Sequence, residues 1–201
     1  MITIGIELNH VVRNVNRQLL KYYQKAVDPS LEIDDIEDDE DVLNKYIKFD
    51  SKKKKSSFIY EDYPYEIFGC ANPMDTFLPS KINTWLYNIT NIEDDDIRVV
   101  YYSLYEDALT IQSTYFFLSK IGTRVRKVIF PTSKEEVWDE CDMVITSNVE
   151  MFDGKPEDKK VILITNKLNE DRKNESYLNY ASLGDLIDDN NFFNTILNGK
   201  D

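Results

Sequence analysis

Three features of the chain predict an α/β fold with a parallel sheet and helices on both faces. A β-branched run, Ile2-Thr-Ile-Gly-Ile6, leads straight into a segment with helical apolar spacing. After a long interruption the alternation resumes, with an apolar run at 97–102 followed by a helical pattern over about 106–120. Three further short apolar runs, at 125–130, 142–145 and 161–165, then alternate with short capped helices. Such alternation is the pattern of parallel strands joined by right-handed crossovers.

Taken in order, Ile2, Ile4 and Ile6 are separated only by Thr3 and Gly5, as expected of a strand covered on both faces, and the strand ends near Asn9. Val11, Val15, Leu19, Tyr22, Tyr23 and Ala26 recur at helical spacing, with Arg13, Arg17, Lys21 and Lys25 between them. The expectation is an amphipathic helix with its basic residues toward solvent, closed by Asp28-Pro29. From Ser30 the pattern changes to an acidic stretch, EIDDIEDDED, then Lys52 to Lys55, then the aromatic segment FIYEDYPYEIFGCANPMDTF. The charge runs read as solvated loops or helix faces. Tyr60, Tyr63, Tyr65, Phe68 and Phe77 read as core in preference to a sticky surface. Residues 28–96 are accordingly expected to be an insertion into an α/β core made of 1–27 and 97–201.

In the second part, Ala108, Ile111, Tyr115 and Leu118 give the helix after 106 its apolar face, Glu106 and Asp107 suit its positive end, and Gly122 is a good stop. Ser133 to Glu136 has capping-box spacing for a short helix running to about 140, and Ser182 to Asp185 repeats it before a last short helix. The strand at 142–145 ends in Thr146-Ser147, and Asp153-Gly154 marks a turn before the strand at 161–165.

Composition narrows the function classes. With 201 residues, 42% of them hydrophobic, the chain can bury a sizeable core. Lys and Arg total 24 against 37 Asp and Glu, a net charge of −13, which disfavours a nucleic-acid binder held by phosphate contacts. Cys70 and Cys141 lie far apart and the chain has one histidine, so neither a disulfide framework nor a zinc site has its ligands, and a reduced compartment fits. No basic leader precedes the first apolar run, and no run approaches the roughly 20 apolar residues of a membrane helix, so neither a secretory signal nor a membrane span is expected. The abundance of Ile, Asn, Lys, Asp and Tyr beside only six Gly and six Pro reads as the bias of an AT-rich genome.

In a parallel α/β sheet, ligands sit at the carboxyl ends of the strands, which makes Glu7, Asn9, Ser103, Thr146 and Ser147 the candidate site residues. These strand ends, in this order, resemble the haloacid dehalogenase-like phosphatases, particularly the nucleotidase-like branch. The family's first motif is a hydrophobic strand followed by Asp-x-Asp-Gly-Val, where this chain has Ile-Glu7-Leu-Asn9-His10-Val11-Val12. Its second is a strand ending in Ser or Thr, matched by VVYYS with Ser103. Its third is a basic residue near a later helix start, loosely matched by Lys134 in PTSKEEVWDECD. Its fourth is a strand ending in two acids, where Asp142-Met-Val-Ile145-Thr146-Ser147 keeps the strand and loses both acids. The resemblance covers 1–27 and about 97–188, and implies a Rossmann-like sheet with the insertion at the family's cap position.

The family's chemistry needs a first aspartate as phosphoryl acceptor, a second as general acid/base, and Mg²⁺ held partly by the fourth-motif acids. Here Glu7 keeps a carboxylate but moves it by roughly an ångström, a displacement that can cost about a hundredfold. Asn9 cannot cycle a proton near neutral pH, and Thr146 and Ser147 offer neutral hydroxyls where Mg²⁺ relies on carboxylates. The expectation is a relic pocket of Glu7, Asn9, Ser103, Lys134, Thr146 and Ser147 with no catalytic residue, no metal and no cofactor. Two alternatives remain. One is a phosphatase with Glu7 as nucleophile and Asp153 reaching the metal, Asp142 being at the wrong end of its strand. The other is a phosphate-binding pocket built on Ser103, Lys134 and backbone amides.

The compositional bias, with YEDYPYEIFG after a degenerate first motif, also resembles virion proteins of crAss-like bacteriophages of gut bacteria. That resemblance implies a structural protein of the portal-to-tail region, repeated as a ring and assembled in the host cytoplasm. Its partners would be other virion proteins and copies of itself, with no sequence-specific nucleic acid and no membrane.

Overall fold

The computed structural model describes residues 1–37, 41–90 and 97–192; part of the acidic run, the segment 91–96 and the tail 193–201 lie outside them. The elements are β1 (Ile2–Glu7), β2 (Arg13–Asn14), α1 (Val15–Ala26), α2 (Val42–Lys45), α3 (Lys52–Ser57), β3 (Asn72–Pro73) and α4 (Leu78–Thr90). They continue with β4 (Ile97–Tyr102), α5 (Ala108–Ile121), β5 (Val128–Ile129), α6 (Lys134–Glu140), β6 (Met143–Thr146), β7 (Lys160–Ile164), β8 (Leu178–Tyr180) and α7 (Leu183–Asp188).

Six strands form one parallel sheet in the order β5-β4-β1-β6-β7-β8, with helices on both faces, so the chain has the Rossmann-like α/β fold its sequence predicts. β1 is central, with Ile4 beside Val99 on one side and Met143 on the other. Strand periodicity sends Ile4, Ile6, Tyr101, Ile145 and Ile162 to a face packed by α4, α5 and α7. Val100, Tyr102, Val144 and Val161 point to the opposite face, under Val137 and Trp138 of α6. On that face Gly5 leaves room for Cys141: a Cβ there would stand 2.7 Å from the Cys141 sulfur.

Two elements depart from the expected layout. The predicted first helix forms, but α1 does not cover the sheet. Its Leu19, Leu20 and Tyr23 build a second core with Ile36, Val42, Ile47, Phe58 and Ile67 of the following segment. Conversely α4, inside the span expected to be insertion, places Leu78, Ile82, Trp85 and Ile89 in the main core. A crossover from β1 to the parallel β4 must return across one face of the sheet, and α4 makes that return. The excursion from the sheet therefore ends before Leu78.

Smaller differences follow from position. The strand expected over 125–130 shrinks to Val128–Ile129, because this edge pairs only with the end of β4. β8 at the other edge was not anticipated, since three residues carry no periodic signal. Both predicted helix starts form, with Ser133 and Ser182 as N-caps that accept from the amides of Glu136 and Asp185. The aromatic segment divides. Phe68 is buried and Tyr63 half-buried, whereas Tyr60, Tyr65 and Phe77 are exposed. Lys52, Lys53 and Lys54 are exposed on α3, as a solvated face requires.

Candidate functional site

From β1 the chain steps to β4 and β5 on one side, then crosses to β6, β7 and β8 on the other. The carboxyl ends of β1 and β6 therefore diverge into a crevice, the usual ligand position in such sheets. Glu7 ends β1 and Thr146 ends β6. The Thr146 hydroxyl donates to Glu7 Oε2 at 2.6 Å, and the Ser147 amide donates to the same oxygen at 3.1 Å. Glu7 is buried, and desolvation raises its carboxyl to a pKa of about 7 against the opposing pull of these donors. No Lys, Arg or His pairs with it among the described residues.

Asn9 and Ser103 form a second group. Asn9 Nδ2 donates to Ser103 Oγ at 3.4 Å, and Ser103 Oγ donates to Glu106 Oε1 at 2.6 Å. Asn9 Oδ1 accepts from Arg13 Nε at 3.0 Å and from Arg13 Nη2 at 2.6 Å. Arg13, expected on a solvent face, is in fact fully buried. Its guanidinium pairs with Glu106 at 2.9 Å, donates to Thr114 Oγ1 at 2.6 Å, and lies between the rings of Phe68 and Phe117, 5.2 and 5.5 Å from their centroids. Thr114 Oγ1 completes the circuit with Glu106 Oε2 at 2.7 Å.

The loop after β1 is tight: the amides of Val12 and Arg13 both donate to the Leu8 carbonyl. His10 sits there with φ of 63°, in the left-handed region that favours glycine. Burial and the nearby Arg13 charge hold its imidazole down to a pKa of about 4, so it is neutral at physiological pH. On the other side of the crevice the buried Asn169 amide donates to the carbonyls of Ser147 and Ile164, at 3.0 and 2.9 Å, and fixes the loop after β7.

The remaining predicted residues lie elsewhere. Lys134 opens α6, has no hydrogen bond or ion pair to Glu7, and does not line the crevice. Asp142, at the amino end of β6, accepts from the Thr3 amide and pairs with Lys159. Asp153 faces Arg172 at 3.2 Å. Arg13, Glu106, Thr114 and Asn169 escaped the sequence reading as site residues. The one signal for the pair was position: Arg13 lies four residues past Asn9, and Glu106 three past Ser103.

Above Glu7 the crevice widens to a cleft of about 460 Å³ between the strand ends and the insertion, which contributes Val42 and Leu43 to its wall. No protein-family model matches the chain, and no curated protein is similar to it in sequence. The Mg²⁺ that the family resemblance implies does not fit these residues. Among the described residues Glu7 is the one carboxyl that itself ends a strand of the sheet, its Oε2 is filled by two donors, Glu106 is paired with Arg13, and no three Asp, Glu, His or Cys side chains converge.

Proposed function

We propose that this chain is a non-catalytic haloacid dehalogenase-like domain that serves in assembly, as a component of a bacteriophage virion in the portal-to-tail region. The observation that carries the non-catalytic part is Asn9. Where the family's acid/base would stand, a carboxamide oxygen receives two N–H bonds from a guanidinium that is itself neutralised by Glu106. That group is tied into the scaffold and has no proton to exchange. The phosphoryl acceptor position is filled by a carboxyl with a pKa of about 7 and no cation beside it. The left-handed backbone at His10, where the family motif carries glycine, supports the kinship.

The assembly part draws on the surface. α5 carries no charged side chain before Lys120, and its Leu109, Tyr115 and Phe116 are exposed, with Tyr65 against Phe116 at 4.9 Å between ring centroids. Exposed aromatic area of this kind suits contact with other proteins or with copies of the same chain. The virion placement comes from the resemblance to crAss-like bacteriophage proteins. Two measurements test the reading. Purified chain with Mg²⁺ should hydrolyse p-nitrophenyl phosphate no faster than the Glu7→Gln variant, and mass spectrometry should find the chain in purified particles at many copies. Mg²⁺-dependent turnover lost in Glu7→Gln would replace the first part, and absence from particles the second.

A further inference from the structure

We propose that the cleft over Glu7 binds an aliphatic ammonium group on an apolar stem, with Glu7 as its counter-charge at the floor and Leu43 and Tyr105 against the stem. The cleft is concave, about 460 Å³ in volume and walled mainly by apolar groups, which suits a small organic ligand. Its charge is one-sided. Among the described residues Glu7 and Asp41 line it, no Lys or Arg does, and His10 is neutral. An anion such as phosphate would meet two acids and no cation there. Glu7 is more than nine-tenths buried, and among the described residues its hydrogen-bond donors, the Thr146 hydroxyl and the backbone amides of Ser147 and Asn148, are all neutral. A buried carboxylate is costly without a positive partner, and the cleft that Glu7 lines gives a ligand room to supply one. The net charge of −13 attracts cations to the chain from a distance.

This inference rests on the non-catalytic reading in one respect: a working phosphatase would have to admit phosphate to the same cleft. Hydrolysis is measured separately, so either idea can fail alone. The test is a titration of the full ¹⁵N-labelled chain at neutral pH with pentylammonium, 1-pentanol and inorganic phosphate. Pentylammonium should bind at least about tenfold tighter than pentanol, with amide shifts gathered at Leu43, Tyr105 and Ala181, and phosphate should leave those amides unmoved. Glu7→Gln should erase the preference for the amine. Leu43→Lys, at the exposed rim, should weaken the amine more than the alcohol and checks the result should Glu7→Gln fold poorly. N-acetyl-lysine amide binding tighter than pentylammonium would identify a partner's lysine as the source, and the reverse order a free amine. Equal affinity for amine and alcohol, amine shifts scattered over the acidic surface, no binding, or phosphate seated in the cleft would each overturn the proposal.

Discussion

Arg13 and Glu106 form an ion pair at 2.9 Å in which neither side chain is more than 4% exposed. The pair joins the loop after β1 to the start of α5, and through Asn9 and Ser103 it holds two strand ends at fixed separation. Burying both charges is expensive, and their attraction together with the Thr114 bonds offsets that cost. Removing one partner leaves the other charged and dry. Arg13→Met alone should therefore lower unfolding stability by about 3–5 kcal/mol in urea titrations. Adding Glu106→Leu should recover much of that loss. A double variant that loses the sum of the two single losses would mean that the charges act independently.

Gly5 lies where β1 and the Cys141 side chain approach most closely. A Cβ at position 5 would come within 2.7 Å of the Cys141 sulfur and 3.2 Å of Tyr102. Both neighbours are buried in the centre of the molecule, so neither can swing aside into solvent. Gly5→Ala should cost about 1–3 kcal/mol by overpacking. Cys141→Ala placed in the same chain should relieve part of it, a non-additivity that thermal unfolding of the four variants would reveal.

Glu7 couples stability to pH. Its carboxyl has a pKa of about 7 in the folded chain against an ordinary 4.5, chiefly through desolvation. Below about 4.5 both folded and unfolded states hold the proton and nothing is lost. As pH rises toward 7 the unfolded chain ionises and the folded one resists, so stability falls by on the order of 3 kcal/mol and then levels off. Glu7→Gln, which keeps an acceptor for Thr146, should remove that fall and leave the variant more stable than wild type at pH 8. Parallel slopes for the two proteins between pH 5 and 7 would place the titrating group elsewhere.

Most of the sheet was legible because its strands are short apolar runs and its helices carry caps, both local signals. Ile2, Ile4 and Ile6 announce a strand whatever follows them, and Ser133 with Glu136 announces a helix. Less legible was anything set by distant partners. Arg13 has the spacing of a solvent-facing residue on a helix, and nothing near it in sequence says that Glu106 and Thr114 will meet it in the interior. α4 was hidden for a related reason: its apolar spacing lies within a segment that looked continuous with the insertion, and its membership in the sheet's core depends on β4 pairing with β1. At the site, strand ends were readable from the fold class, so Glu7, Thr146 and Ser147 come together as expected. Lys134 matches a motif by position alone and does not line the cleft.

The arrangement around Asn9 also limits what substitution can restore. Asn9→Asp would put a carboxylate at the positions where Arg13 Nε and Nη2 now donate at 3.0 and 2.6 Å. Charge-assisted bonds of that kind favour the ionised form, so the introduced carboxyl should titrate below the ordinary aspartate value of about 4, readable by ¹³C NMR. A general acid needs a pKa near the operating pH, and this one would be displaced in the wrong direction. Rebuilding the Asp-x-Asp pair with Glu7→Asp and Asn9→Asp together should therefore give no Mg²⁺-dependent hydrolysis of p-nitrophenyl phosphate above the buffer rate. Adding Ser147→Asp to supply a second carboxylate for Mg²⁺ should not change that result while Arg13 remains in place. Hydrolysis in the triple variant would show that the buried guanidinium does not hold position 9 out of the reaction.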